Sequence, residues 1–252
     1  MDEIARKPEI IKQYETYLRG QKGLAKKTVI NYLTDLQPFF KFLHKTERSF
    51  NDLDRPLLRQ YLAQLMSEGR GRQGGYARAS VACKLIVLRS LYSYLSQQGI
   101  VPINPIPRNR SMQVKVEKRL PRFLTEREVN KLLEAPDMSK QMHVRDRAIL
   151  ELLYASGMRL SELAGLSLSD IDHSHRKLRV LGKGYKERIV LIGQPGSCSL
   201  RAYLEKVRPN LLKTPNDAIF LNRYGQRLSH RTIHKTVRHF AMLAGLLPGV
   251  HP

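Results

Sequence analysis

Apolar side chains recur at three- and four-residue intervals through the first hundred residues, the spacing that lines one face of an α-helix. Ile10, Ile11, Tyr14, Tyr17 and Leu18 form a first stripe. Val29, Tyr32, Leu33, Leu36, Phe39, Phe40 and Leu43 form a second and stronger one, with Thr28 near its start. Pro56, tolerated in a helix's first turn, opens a third helix carrying Leu58, Tyr61, Leu62 and Leu65. A fourth runs from about Ser80 to Ser96 through Val81, Leu85, Leu88, Leu91, Tyr92 and Leu95, and Gly99 supplies a stop.

The texture then changes. Pro102, Pro105, Pro107 and Pro121 punctuate a stretch rich in Arg and Lys, and proline at this density favours extended chain. This places a linker over 104–121, between a helical domain (1–103) and a second domain (122–252). The second domain opens with a capping box, Thr125 to Glu128, followed by Val129, Leu132 and Leu133 at helical spacing. Helices are predicted from about Arg145 to Ala155, Leu160 to Leu166, Ser199 to Arg208, and Ser229 to Ala244. Between them Leu178 and Val180, then Ile189 to Ile192, flank Gly182-Lys183-Gly184, which reads as a β-hairpin with a glycine-framed tip. Asp217 to Leu221 reads as a short strand. The predicted fold class is mostly α with a small antiparallel β-sheet, a helical domain followed by an α+β domain.

Composition adds one strong fact. Lys and Arg number 44 against 22 Asp and Glu, a net charge of +22. Such an excess costs self-repulsion in the compact state and serves a polyanion; nucleic acid is the first candidate. Charge alone does not separate a DNA-binding protein from a basic scaffold for RNA or ribosomes. Cys83 and Cys198 form neither a zinc spacing nor a disulfide framework, which fits a reducing compartment. The N-terminus has no apolar signal core and no run approaches the length of a membrane span. The expectation is a cytoplasmic protein without a membrane partner.

Two residues stand out chemically. Arg159 follows Gly157 at a helix start, where anions are favoured, and an Arg there can grip a phosphate bidentately. It can equally pair with Glu162 as a structural brace. Lys183 lies between two glycines, where it can reach a phosphate or donate a proton to a leaving oxygen, or be an ordinary exposed turn lysine. Gly182-Lys183-Gly184 lacks P-loop spacing, so no nucleotide cofactor is expected. His230 and His234 share a helix face without a carboxylate or Cys beside them, so no metal is expected.

The combination is more telling than its parts. Arg159, Glu162, Leu163, Leu166 and Asp170, then Gly182 to Arg188, resemble the first half of the tyrosine recombinase (phage integrase) catalytic domain, in the form found in Xer-type recombinases. Thr28, Tyr32, Asp35, Leu36, Phe39 and Phe42 resemble that family's core-binding domain, Arg89 to Leu95 its last helix, and Asn104-Pro105, Leu120-Pro121, Leu124-Thr125 and Glu128 its linker and catalytic-domain entry. The resemblance spans essentially the whole chain.

That resemblance implies a clamp on double-stranded DNA and strand exchange through a 3′-phosphotyrosine, without cofactor or metal. It implies catalytic roles for Arg159, as a stabiliser of phosphate charge, and for Lys183, as proton donor to the departing 5′ oxygen, with Glu162 orienting the Arg159 region. Expected phosphate contacts are Lys26, Lys27, Arg78, Lys84 and Arg89 in the first domain, and Lys186 and Arg188 in the second. It further implies a homo- or hetero-tetramer of recombinase subunits on DNA, with chromosome-dimer resolution as the role. A mobile-element integrase and a DNA-binding remnant or regulator are the alternatives. The family's His-x-x-Arg-His box and nucleophilic Tyr do not occur among the 252 residues, where Ala244-Gly245 leads to His251-Pro252. Residues 1–252 are therefore expected to bind DNA without forming a covalent adduct; an adduct would direct attention to Tyr185 or Tyr224. Ile233, Val237 and Phe240 are expected to form an exposed apolar face.

Overall fold

The computed structural model describes residues 3–68, 74–106, 114–115, 123–172, 174, 176–182, 184 and 186–246. Contacts divide the chain into two units, Met1–Arg119 and Leu120–Pro252.

Helices α1 (Glu3–Gly20), α2 (Lys26–Lys45), α3 (Arg55–Ser67) and α4 (Arg78–Gln97) make up the first unit's regular structure among the described residues. Each predicted stripe becomes the buried face of one of them. Tyr14 and Leu18 of α1, Leu36, Phe39 and Leu43 of α2, Leu58 of α3, and Leu88, Leu91 and Tyr92 of α4 are almost completely buried in one cluster. Phe39 sits at its centre, edge-on to Tyr61 at 5.2 Å and Tyr92 at 6.0 Å between ring centroids. Truncating a buried aromatic of this kind costs about 3–5 kcal/mol. Helix α3 starts where Asp54 accepts a hydrogen bond from the Leu57 amide, with Pro56 in the first turn. Asn104, placed by its proline context in the linker, is anchored to α4: its Nδ2 donates to the Arg89 carbonyl at 3.0 Å and to Ser93 Oγ at 2.8 Å. Most of the 104–121 segment lies outside the described residues.

The second unit runs α5 (Glu126–Glu134), α6 (Gln141–Ser156), α7 (Leu160–Gly165), a short 3₁₀ turn, β1 (Ile171–Asp172), β2 (Lys177–Leu181), β3 (Glu187–Leu191), α8 (Gly193–Lys206), α9 (Arg208–Leu211) and α10 (His230–Leu243). The capping box at Thr125 and Glu128 forms reciprocally. The hairpin is antiparallel, with Leu178 opposite Val190 and Val180 opposite Arg188, and β1 adds a third strand beside β2. The alternation buries Leu178, Val180 and Val190 against α6, α7 and α8, and leaves Arg179, Leu181, Ile189 and Leu191 outside.

Three expectations need correction. Helix α8 begins at Gly193, not near Ser199, although Gly193-Gln194-Pro195-Gly196 has turn composition. Pro195 falls in the first turn, where a missing N–H costs nothing, and Gly196 lies against Leu152 and Ala155 of α6. Asp217–Leu221 is not a strand. Its backbone groups are shared out: Asp217 O accepts from Leu168, the Ile219 amide donates to Leu166, and the Leu221 amide donates to the Tyr203 hydroxyl. Finally, Ile233, Val237 and Phe240 are not exposed. They are at most 3% exposed, Val237 and Phe240 packed in a cluster with Leu132, Leu133 and Leu150 and Ile233 in the main core. The apolar surface of α10 is instead Met242 and Leu243, at its last turn.

Candidate active site and nucleic-acid interface

Helix α6 ends at Gly157, which takes the left-handed conformation (φ +58°) that glycine adopts without strain, and its amide closes onto the Leu153 carbonyl. Two residues later Arg159 caps α7 in extended conformation. Glu162, at the third helical position, turns back on it: Oε2 accepts from the Arg159 amide at 2.8 Å and Oε1 from Arg159 Nη1 at 2.9 Å.

The same carboxylate receives Arg188 from β3, Nη1 to Oε1 at 2.9 Å and Nη2 to Oε2 at 2.8 Å. Glu162 is thus a buried anion, its side chain 3% exposed, with four donors around it. The Arg188 hydrogen bonds lead in holding its carboxyl at about 2, with the Arg159 amide and guanidinium adding to them against the opposing effect of burial. The Arg159 side chain remains 68% exposed. One of its nitrogens is tethered to a fixed carboxylate while most of the guanidinium stays at the surface, a geometry suited to a bidentate grip on a phosphate. The brace read from the sequence is formed, and it leaves most of the Arg159 guanidinium exposed.

Gly182, at the end of β2, gives this arrangement room. A Cβ there would lie 3.2 Å from Arg188 Nη1, 3.3 Å from Lys186 O and 3.5 Å from Glu162 Oε1. The Gly182 amide donates to the Lys186 carbonyl at 2.8 Å, and Gly184 has a φ of +77°. Lys183 and Tyr185 lie outside the described residues; Lys186 is exposed.

Arg188 has a partner that the sequence reading did not give it: Nη1 and Nη2 each donate one hydrogen bond to Glu162, while its side chain stays 40% exposed. Arg188 is two residues from Val190 and opposite Val180, so it lies on the core-facing side of the hairpin.

In the first unit, Lys26 and Lys27 are exposed in the first turn of α2, and Arg78 is exposed as the first residue of α4. Neither first turn holds an acidic residue, and neither Ala25 nor Ala77 makes a side-chain cap. Basic side chains beside helix N-terminal amides form surfaces that favour anions. Lys84 is different: it is buried, 2.7 Å from Asp35 Oδ1 and over the Tyr76 ring at 4.8 Å. Its charge links α4 to α2 and is not offered to a phosphate. Arg89 is half-buried. Among the described residues no cluster of His, Cys, Asp or Glu could hold a metal ion, and no helix is long and apolar enough to cross a membrane.

Residues 122–252 match the model of the phage integrase family, and residues 11–99 that of the phage integrase N-terminal SAM-like domain. Tyrosine recombinase XerC of Pelotomaculum thermopropionicum is 40% identical over 253 residues, covering 96% of this chain and 80% of that protein. Tyrosine recombinase XerC of Thermodesulfovibrio yellowstonii is 36% identical over 249 residues, covering 96% and 78%. In fold, the chain is similar to the crystal structure of the XerH site-specific recombinase bound to palindromic difH substrate, with a TM-score of 0.70 at 23% identity over 96% of this chain and 69% of that one. The chain belongs to the phage integrase family.

Proposed function

We propose that the protein is a site-specific DNA recombinase of the Xer type, acting in the resolution of chromosome dimers in the cytoplasm. The observation that carries this reading is the Arg159–Glu162–Arg188 cluster, which fixes an exposed guanidinium at the start of α7, beside the glycine-framed turn that contains Lys183 in sequence. In this reading a tyrosine oxygen attacks a backbone phosphate, the phosphorus–5′-oxygen bond breaks, and a 3′-phosphotyrosine forms. Arg159 stabilises the charge developing on the non-bridging oxygens. Lys183 gives a proton to the departing 5′ oxygen. Glu162 stays ionised and holds Arg159 in place. Lys26, Lys27, Arg78 and Lys186 contact phosphates on the flanking duplex. The partners are double-stranded DNA and further recombinase subunits, four to a synapsed pair of sites.

The test is selection of bound duplexes from a randomised pool, followed by titration of the winning sequence. Enrichment of one site is expected, with Arg159→Ala binding it roughly tenfold more weakly, the worth of a charged hydrogen bond. A pool that stays random at every salt concentration, or an Arg159→Ala protein that binds like the parent, overturns the proposal.

A further inference from the structure

Arg227 grips the opposite end of α7 from Arg159. Its Nη1 donates to the carbonyls of Ala164 at 3.3 Å, Gly165 at 2.8 Å and Leu166 at 2.7 Å. Its Nη2 donates to Ser167 Oγ at 2.9 Å and to Asp217 Oδ1 at 3.0 Å. The Asp217 side chain is 76% exposed, so that ion pair contributes little. The weight falls on the three carbonyls.

Helix α7 is six residues long. A helix this short has no cooperative stability of its own, and its last four carbonyls have no partner within it. Arg227 Nη1 shares its two hydrogens among the carbonyls of Ala164 and Gly165, the last two of α7, and that of the cap residue Leu166, which also accepts from the Ile219 amide, and it sets positive charge against the negative end of the helix dipole. Leu163 and Leu166, at most 3% exposed, hold α7 to the core. Apolar packing is non-directional, so it does little to stop the helix sliding or turning about its axis. The directional ties are the Glu162 cluster at the start and, at the end, Arg227 together with the Ile219 amide, which donates to the Leu166 carbonyl at 3.0 Å. Because Arg159 is the residue that caps α7, any shift of the helix is a shift of that guanidinium, and a bidentate grip on phosphate tolerates little misplacement.

We propose that Arg227 is a positioning residue for Arg159: it holds α7, a helix about 9 Å long, and through it the exposed guanidinium at the other end, in the register that meets a phosphate. This rests on the reading of Arg159 as a phosphate ligand. Arg227 touches no DNA in this scheme, although its side chain is 36% exposed.

A double-mutant cycle tests it. The parent, Arg159→Ala, Arg227→Ala and the double variant are titrated with one fixed duplex at low salt, and the melting of each is recorded. Arg159→Ala is expected to weaken binding about tenfold. Arg227→Ala should weaken it several-fold in the parent and not at all in the Arg159→Ala background, with Arg227→Lys recovering most of the affinity. A loss of equal size in both backgrounds overturns the inference; if it also lowers the salt slope by about 0.9, Arg227 is itself a phosphate contact. Unchanged binding by Arg227→Ala, with Arg159→Ala weakened, overturns the inference alone. Unchanged binding by Arg159→Ala overturns the reading beneath it and the inference together. Should Arg227→Ala not fold at the assay temperature, the Arg227→Lys cycle decides, with a smaller coupling of the same sign expected and zero coupling counting against the proposal.

Discussion

Arg188 donates to both oxygens of the Glu162 carboxylate, at 2.9 and 2.8 Å, across 26 residues of sequence. This pair joins the hairpin to the helix that Arg159 caps. It makes the hairpin and α7 a single unit, with a buried anion as the joint.

That joint has a pH signature. The Glu162 carboxyl is held from its ordinary 4.5 down to about 2. A depressed carboxyl contributes stability that is present above the unfolded value and lost as pH falls through the folded one. Above pH 4.5 the contribution is about 3 kcal/mol, and it disappears between pH 4.5 and 2. Urea titrations of the parent and of Glu162→Gln should therefore differ most at neutral pH and converge towards pH 2. A difference that stays constant across that window would show that the carboxyl is not depressed.

Gly182→Ala should be felt through Arg188. The added methyl would crowd Arg188 Nη1 at 3.2 Å and the Lys186 carbonyl at 3.3 Å. Arg188 can give way; the backbone carbonyl gives way less. A cost of about 1 kcal/mol is expected, reduced when Arg188→Ala is already present. Equal cost in both backgrounds would place the strain on the turn backbone alone.

Lys84 and Asp35 should respond unequally to truncation. Asp35→Ala strands a cation on a side chain that is 8% exposed and should cost about 3 kcal/mol. Lys84→Met leaves a carboxylate whose side chain is 31% exposed, and its stem still packs, so about 1 kcal/mol or less is expected. Denaturant midpoints of the two variants check the order.

Duplex binding should sort the basic residues by exposure. Lys26→Ala, Arg78→Ala and Lys186→Ala should each lower the slope of log affinity against log salt by about 0.9. Lys84→Met should leave the slope unchanged, because that charge is already spent inside. A Lys84→Met slope that falls like the others would show that the Lys84–Asp35 pair opens on DNA.

Much of this molecule was legible before any coordinates. The stripe through Phe39 and Leu43, the helix start at Pro56 and the Thr125–Glu128 capping box are encoded in short windows, and local periodicity or a local helix-start signal settles each. The order of weak motifs around Arg159 and Lys183 pointed to the family. Local spacing misled at Gly193–Gly196, where a turn composition was overruled by the packing of α8 on α6.

What the one-dimensional pattern determined was which face of each element turns inward, because side-chain direction follows backbone period. It could not determine what each inward charge meets. Arg188 and Lys84 look like surface cations in sequence, and their carboxylates lie 26 and 49 residues away. Only the tertiary structure paired them, for a physical reason: Glu162 and Lys84 are buried charges, stable only beside a counter-charge, and distance in space is set by the packing of whole elements rather than by separation along the chain.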